Sequence, residues 1–146
     1  MIEQSLKELR EFKAIVNTSP VIFFRVRFEP DFPPEFISDN IGVMGFSAED
    51  MLEGKVTWAQ FMSPEALEEV QSKIEATLKA GKKTYHLEAS MTWSNGEEHC
   101  YSNFNRIICN AQGIPSHIQG LLVDITDQKQ FAGSLEVAIS NLSEFH

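Results

Sequence analysis

Apolar positions recur every three or four residues at the start of the chain. Ile2, Leu6, Leu9, Phe12 and Val16 form one stripe with Lys, Arg and Glu elsewhere, which predicts an amphipathic helix over residues 1–16. The period then falls to two. In SPVIFFRVRFEP, Ile22, Phe24, Val26 and Phe28 share one face and Phe23, Arg25 and Arg27 the other, a strand with one wet face between Pro20 and Pro30. DFPP turns the chain, and EFIS reads as a shorter strand.

Helical spacing returns in the middle third. Ser47 and Asp50 have the spacing of a capping box, and Ser63 before Pro64 marks a helix start where a missing N–H costs nothing. Leu67, Val70, Ile74 and Leu78 then line one face, Gly81 ends the helix, and the opposite face with Glu68 and Glu69 is solvated. After Gly81 the chain alternates again. SNGE at 94–97 predicts a two-residue type I′ hairpin, because Asn-Gly tolerates positive φ. That turn places Met91 opposite Cys100, Ala89 opposite Ser102, Leu87 opposite Phe104 and Glu88 opposite Asn103. NAQGIP is a second turn and SHIQGLLVDI the last strand. Strands grouped in runs around short helices predict an α+β fold with an antiparallel sheet.

Composition narrows the function classes. At 146 residues, 42% hydrophobic and 23% charged, the chain has the make-up of one globular domain. Its net charge of −9, from 12 basic against 21 acidic residues, argues against a nucleic-acid partner, which needs clustered Lys and Arg. No apolar run is long enough to span a bilayer and the charged first helix is not a leader, so a cytoplasmic location is expected. Cys100 and Cys109 fall on one predicted strand, about 30 Å apart at 3.3 Å per residue, too far to bridge; reduced cysteines fit the same location.

The junction LLVDITDQKQF is the most informative stretch. A strand-forming run meets Asp124, passes Ile125 and Thr126, and becomes helical. Asp124 can accept hydrogen bonds from backbone N–H groups and Thr126 can cap the helix, so a few polar contacts set its direction. Beyond it, Phe131, Leu135, Ala138, Leu142 and Phe145 repeat every four and three residues, the spacing of a coiled-coil seam over two heptads.

Three segments carry a family resemblance. In FISDNIGVMGFSAEDML a strand ends in Ser, a short helix follows, and Gly45 and Phe46 precede a Ser-capped helix. TWAQFMSPEALEEV comes next, and WSNGEEHCYSNFNRIICNAQGIPSHIQGLLVDITDQK closes on Asp124, Ile125 and Thr126. In this order they resemble the PAS domain family over roughly residues 8–128, although Met62-Ser63-Pro64 departs from the His-Pro-Asp common there. The resemblance implies a five-stranded antiparallel sheet with helices on one face and a small cavity between them. It also implies a sensor of a ligand, cofactor, redox state or partner that signals to an effector such as a histidine kinase of a two-component system or a diguanylate cyclase. The implied division is an N-terminal helix at 1–16, the PAS domain at 17–127 and the start of a signalling helix at 128–146.

Candidate chemistry is sparse. His86, His99, His117 and His146 form no helical i, i+4 pair and no Cys/His cluster, so no metal site is expected. Residues 64–80 hold no His, where haem-binding members of the family carry a ligand, and 36–80 hold no Cys, where flavin photosensors carry their thiol. The cofactor is therefore left open, with a noncovalent flavin or another small molecule as candidates. The expected ligand-binding residues are Phe24, Trp58, Phe61, Tyr101, Asn103 and Asn105, a few polar groups among aromatics. Asp124, Ile125 and Thr126 are the expected transmission residues. The sequence reading is thus a cytoplasmic sensor and homodimerisation module, not an enzyme by itself, with an effector beyond residue 146. The alternatives are a constitutive dimerisation scaffold without ligand and, third, a small enzyme, for which no Ser, His, Asp constellation or phosphate loop is visible.

Overall fold

The computed structural model describes residues 2–18 and 20–130. Five strands form one antiparallel sheet in the order β2-β1-β5-β4-β3: β1 (Val21–Arg27), β2 (Pro34–Ile37), β3 (Thr84–Thr92), β4 (Glu98–Cys109) and β5 (Pro115–Asp124). A 3-10 segment (Asp39–Met44), α2 (Ala48–Leu52), a second 3-10 turn (Trp58–Gln60) and α3 (Pro64–Lys79) connect β2 to β3. The predicted α+β architecture is the observed one.

The core lies between the inner face of the sheet and these helices. Ile22, Phe24 and Val26 reach it from β1 by alternation, and Ile41, Met44, Met51, Ile74, Met91 and Leu122 fill it at 1% exposure or less. Local polar chemistry sets the helix starts. Ser47 Oγ accepts from the Asp50 N–H at 3.3 Å, and Ser63 Oγ from the Ala66 N–H at 3.1 Å. After β1 the chain turns through Asp31 and Phe32, both in the left-handed region, and the Phe32 carbonyl is held by the Trp58 indole N–H at 2.9 Å.

The β3–β4 hairpin differs from expectation. Trp93 N–H donates to the Glu97 carbonyl at 2.8 Å, so the loop is Ser94-Asn95-Gly96, and Gly96 sits at φ +90. A three-residue loop with glycine in the left-handed position replaces the two-residue type I′ turn. The register consequently moves by one residue: Met91 pairs with His99, Ala89 with Tyr101 and Leu87 with Asn103. That shift turns Tyr101 and Asn103 to the core face with Ala89 and Leu87. The hairpin tip docks on the 3-10 segment, where Ser94 N–H donates to the Met44 carbonyl at 2.8 Å. Gly45, at φ +88, lies so close to Ser94 that a Cβ would fall 1.8 Å from its Oγ.

The N-terminal α1 (Ile2–Thr18) is helical as predicted, but Leu6 and Leu9 on its stripe are 49% and 63% exposed. Only neighbouring elements cover a helix face, and among the described residues these two positions lack such cover. The side chains of Ile2, Phe12 and Val16 lie outside the described residues, as does the seam from Phe131 to Phe145.

Candidate functional site

A cavity of about 60 Å³ lies between sheet and helices, walled by Phe24, Trp58, Leu87, Ile118, Asn103 and Asn105 among others. Each wall residue is placed by an identifiable cause. Phe24 projects inward by strand alternation and meets Trp58 edge to face, ring centroids 5.4 Å apart. The Trp58 indole N–H is already donated to Phe32, so the ring is fixed as an apolar wall. Asn105 pairs with Gly120 of β5. A Cβ on Gly120 would approach Asn105 Oδ1 to 2.3 Å and Phe24 Cζ to 2.6 Å, so bare backbone there admits both side chains.

Asn103 is the anomaly. It is 6% exposed, and its Nδ2 has no hydrogen-bond partner among the described residues. Such a group is costly to bury, on the order of 1–3 kcal/mol, and calls for an explanation.

Of the residues expected at the cavity, Phe24, Trp58, Asn103 and Asn105 line it, whereas Phe61 and Tyr101 do not. Phe61 packs behind the wall, 5.4 Å from Trp58 and 5.2 Å from Phe46 between ring centroids. Tyr101 is 1% exposed, and its hydroxyl accepts the Trp93 indole N–H at 3.2 Å; burial pushes the phenol up to about 12. Tyr101 therefore belongs to the second site, at the end of β5.

There the chain leaves the sheet and becomes helical over residues 126–130. Asp124 Oδ1 accepts from the Thr126 N–H at 2.9 Å and from the Thr126 hydroxyl at 2.6 Å. The cap on the helix start is thus Asp124. Thr126, expected in that role, turns back: its Oγ1 accepts the Cys100 N–H of β4 at 2.9 Å. The Cys100 carbonyl accepts the Ile125 N–H at 2.8 Å. Both backbone polar groups of Cys100 are consequently engaged by the exit segment. Cys100 and Cys109 are free thiols.

Groups that sequence reasoning missed complete the clasp. His99 Nδ1 lies 2.7 Å from Asp124 Oδ2 and its Nε2 lies 3.1 Å from Glu97 Oε2. Trp93 stacks on the imidazole with centroids 3.6 Å apart and planes 3° from parallel. Burial opposes charge on both His99 and Asp124. Hydrogen bonds to Glu97 and Asp124 outweigh it at His99 and raise the imidazole above 6.5; those from Thr126 and His99 outweigh it at Asp124 and hold the carboxyl below 3.8. Lys129, one turn into the exit helix, meets Glu88 of β3 at 2.5 Å. The only signal for this cluster was the hairpin register, which the three-residue loop displaced.

The outer face of the sheet carries a third feature. Phe23, Leu121 and Phe104 form a row across β1, β5 and β4, and Phe104 is 48% exposed. Phe36 on β2 adds to this surface at 44% exposure. Among the described residues no helix is long and apolar enough to cross a membrane.

Comparison with known proteins agrees with this architecture. Residues 35–122, more than half of the chain, match the family described as PAS fold. A methyl sulfide methyltransferase-associated sensor of Methanosarcina acetivorans is 30% identical over 120 residues, covering 82% of this chain and 12% of that protein. The chain thus spans about an eighth of this relative's length. A sensory box histidine kinase/response regulator from Burkholderia thailandensis superposes with TM-score 0.66 at 18% identity, covering 92% of this chain and 98% of that one. The N-terminal domain of a diguanylate cyclase with PAS/PAC sensor from Marinobacter aquaeolei gives TM-score 0.60 at 17% identity, covering 75% and 98%. At such identities the structural likenesses speak for the fold alone. Family match, identity and fold together make this chain a member of the PAS-fold family.

Proposed function

We propose that the cavity is the sensing site, that the clasp around Asp124 passes its state to the exit helix, and that an effector domain beyond residue 146 reads it. The observation that carries this is the continuity of β4. Asn103 lines the cavity and Cys100, three residues away on the same strand, holds the exit segment by both its backbone groups. At about 3.3 Å per residue the two sites are about 10 Å apart, within one rigid element. A guest that displaces Asn103 tilts β4 and so biases whether Thr126 keeps its bond, the kind of two-state element switching requires.

The effector we assign is a histidine kinase or a cyclic-dinucleotide enzyme, and the module by itself performs no chemistry. We assign a second copy of this chain to the apolar outer face. Phe36 and Phe104, together with Leu6 and Leu9 on α1, are large apolar side chains exposed among the described residues, which a homodimer would cover.

The test is effector output of the full-length protein carrying Asp124→Ala. The expected result is a folded protein with ordinary basal output and no response to stimulus; an unchanged response rejects the clasp as transmitter. The exposed apolar surface also favours a second reading, a constitutive dimerisation scaffold. Sedimentation of chains lacking residues 1–15 or 128–146 separates the two, because a scaffold loses its dimer and all effector activation together.

A further inference from the structure

The cavity wall states what kind of guest it accepts. Among the described residues, no Asp, Glu, Lys, Arg or His contributes to the lining. A charged guest would leave water for a site without a counter-charge, which desolvation opposes. Burial also pushes the Tyr85 phenol upward, which keeps that lining hydroxyl protonated and neutral.

Size sets a second limit. At roughly 10–15 Å³ for each water-sized sphere, about 60 Å³ admits about four to six heavy atoms. Drug-sized and cofactor pockets run to roughly 300–1,000 Å³. A tricyclic flavin therefore does not fit between these helices as they stand.

The polar requirement comes from Asn103. Asn103 lines the cavity, and its Nδ2 is a buried donor without a partner among the described residues. The neighbouring Trp58 donor is committed to Phe32. A guest that brings an acceptor oxygen relieves the orphan amide and rests its apolar body on Phe24, Trp58 and Leu87.

We infer that the cavity binds a compact, uncharged molecule bearing a carbonyl-type oxygen, with Asn103 Nδ2 as the donor to that oxygen. This rests on reading the cavity as the sensing site, and it adds charge, size and hydrogen-bond polarity to that reading.

The experiment follows the amide spectrum of the isotopically labelled 146-residue chain during titration with acetone and, separately, with acetate, an anion of the same size. Acetone is expected to move the Asn103 side-chain amide resonances saturably and to bind at least about tenfold more tightly than acetate, a difference of about 1.4 kcal/mol. Asn103→Leu, or Asn103→Met should the first variant fold poorly, is expected to weaken acetone by at least about tenfold. Acetate binding as tightly as acetone, or acetone indifferent to the loss of Asn103, overturns the ligand class and leaves the sensing site standing. If neither probe moves a cavity resonance, and mass spectrometry of the denatured protein releases no small molecule, the ligand class and the sensing reading fall together.

Discussion

The cavity and the clasp share one strand and are made of opposite materials. Among the described residues the cavity is largely apolar, without a charge in its lining, and leaves one amide donor unsatisfied. The clasp is charged and polar, and each of Asp124, Thr126, His99 and Cys100 has a partner within 3.1 Å. An unsatisfied site has something to gain from a guest, whereas a fully bonded one can only lose contacts. On the proposed reading the difference sets a direction of signal flow: a change would begin where a bond is missing and end where bonds can be broken.

The contrast predicts unequal responses to mutation. The largest effect is expected in the cavity wall, where Phe24→Ala removes a ring that is 8% exposed and packed on Trp58. A loss of about 3–5 kcal/mol in urea unfolding is expected, since the surroundings collapse only partly. A loss below about 1 kcal/mol would mean the wall is plastic and the cavity has no fixed shape.

Asp124→Ala should cost less, about 0.5–2 kcal/mol, the usual range for removing a helix cap. The same unfolding series tests it. A cost as large as that of Phe24→Ala would make the clasp part of the core and abolish the distinction between the two regions.

A smaller effect should appear with pH, and only at the clasp. His99 has its imidazole raised in the folded state, so its stabilisation is complete below the ordinary value of 6.5 and is lost as pH rises through the higher folded value. Asp124 has its carboxyl lowered, so its stabilisation is present above 3.8 and is lost as pH falls through the lower folded value. Between those two ordinary values both charges are in place. Thermal melts should therefore show wild type losing stability relative to His99→Gln as pH rises from below 6.5 through the higher folded value. A difference independent of pH would remove His99 from the clasp.

The smallest effect belongs to Lys129. Its pair with Glu88 is exposed on both sides and screened by solvent, and Lys129→Ala should leave the midpoint of the same melts essentially unchanged. A larger loss would show the exit helix anchored along its length and not at its first turn.

Much of this was legible in the chain. Alternation in β1, the Ser63-Pro64 helix start and the turn at Asn110 all act between near neighbours, where sequence spacing is geometry. Three of the expected cavity residues that line it, Phe24, Asn103 and Asn105, lie on strands where alternation is legible, and Trp58 comes from the second 3-10 turn. What escaped depended on one residue of loop length. Asn-Gly permits both a two-residue and a three-residue hairpin, and only packing of Ser94 on Met44 and Gly45 selects the longer. With the register displaced, Tyr101 could not be set beside Trp93, nor His99 beside Asp124. The role of Thr126 was missed because its partner, Cys100, lies 26 residues earlier on another strand.

The two bonds at Cys100 also make the junction measurable in time. An amide hydrogen given to a threonine hydroxyl, and not to a neighbouring strand, is released to solvent whenever that hydroxyl swings away. Its rate of deuterium uptake is therefore a clock for the opening of the exit segment, read at one atom and in the absence of any effector.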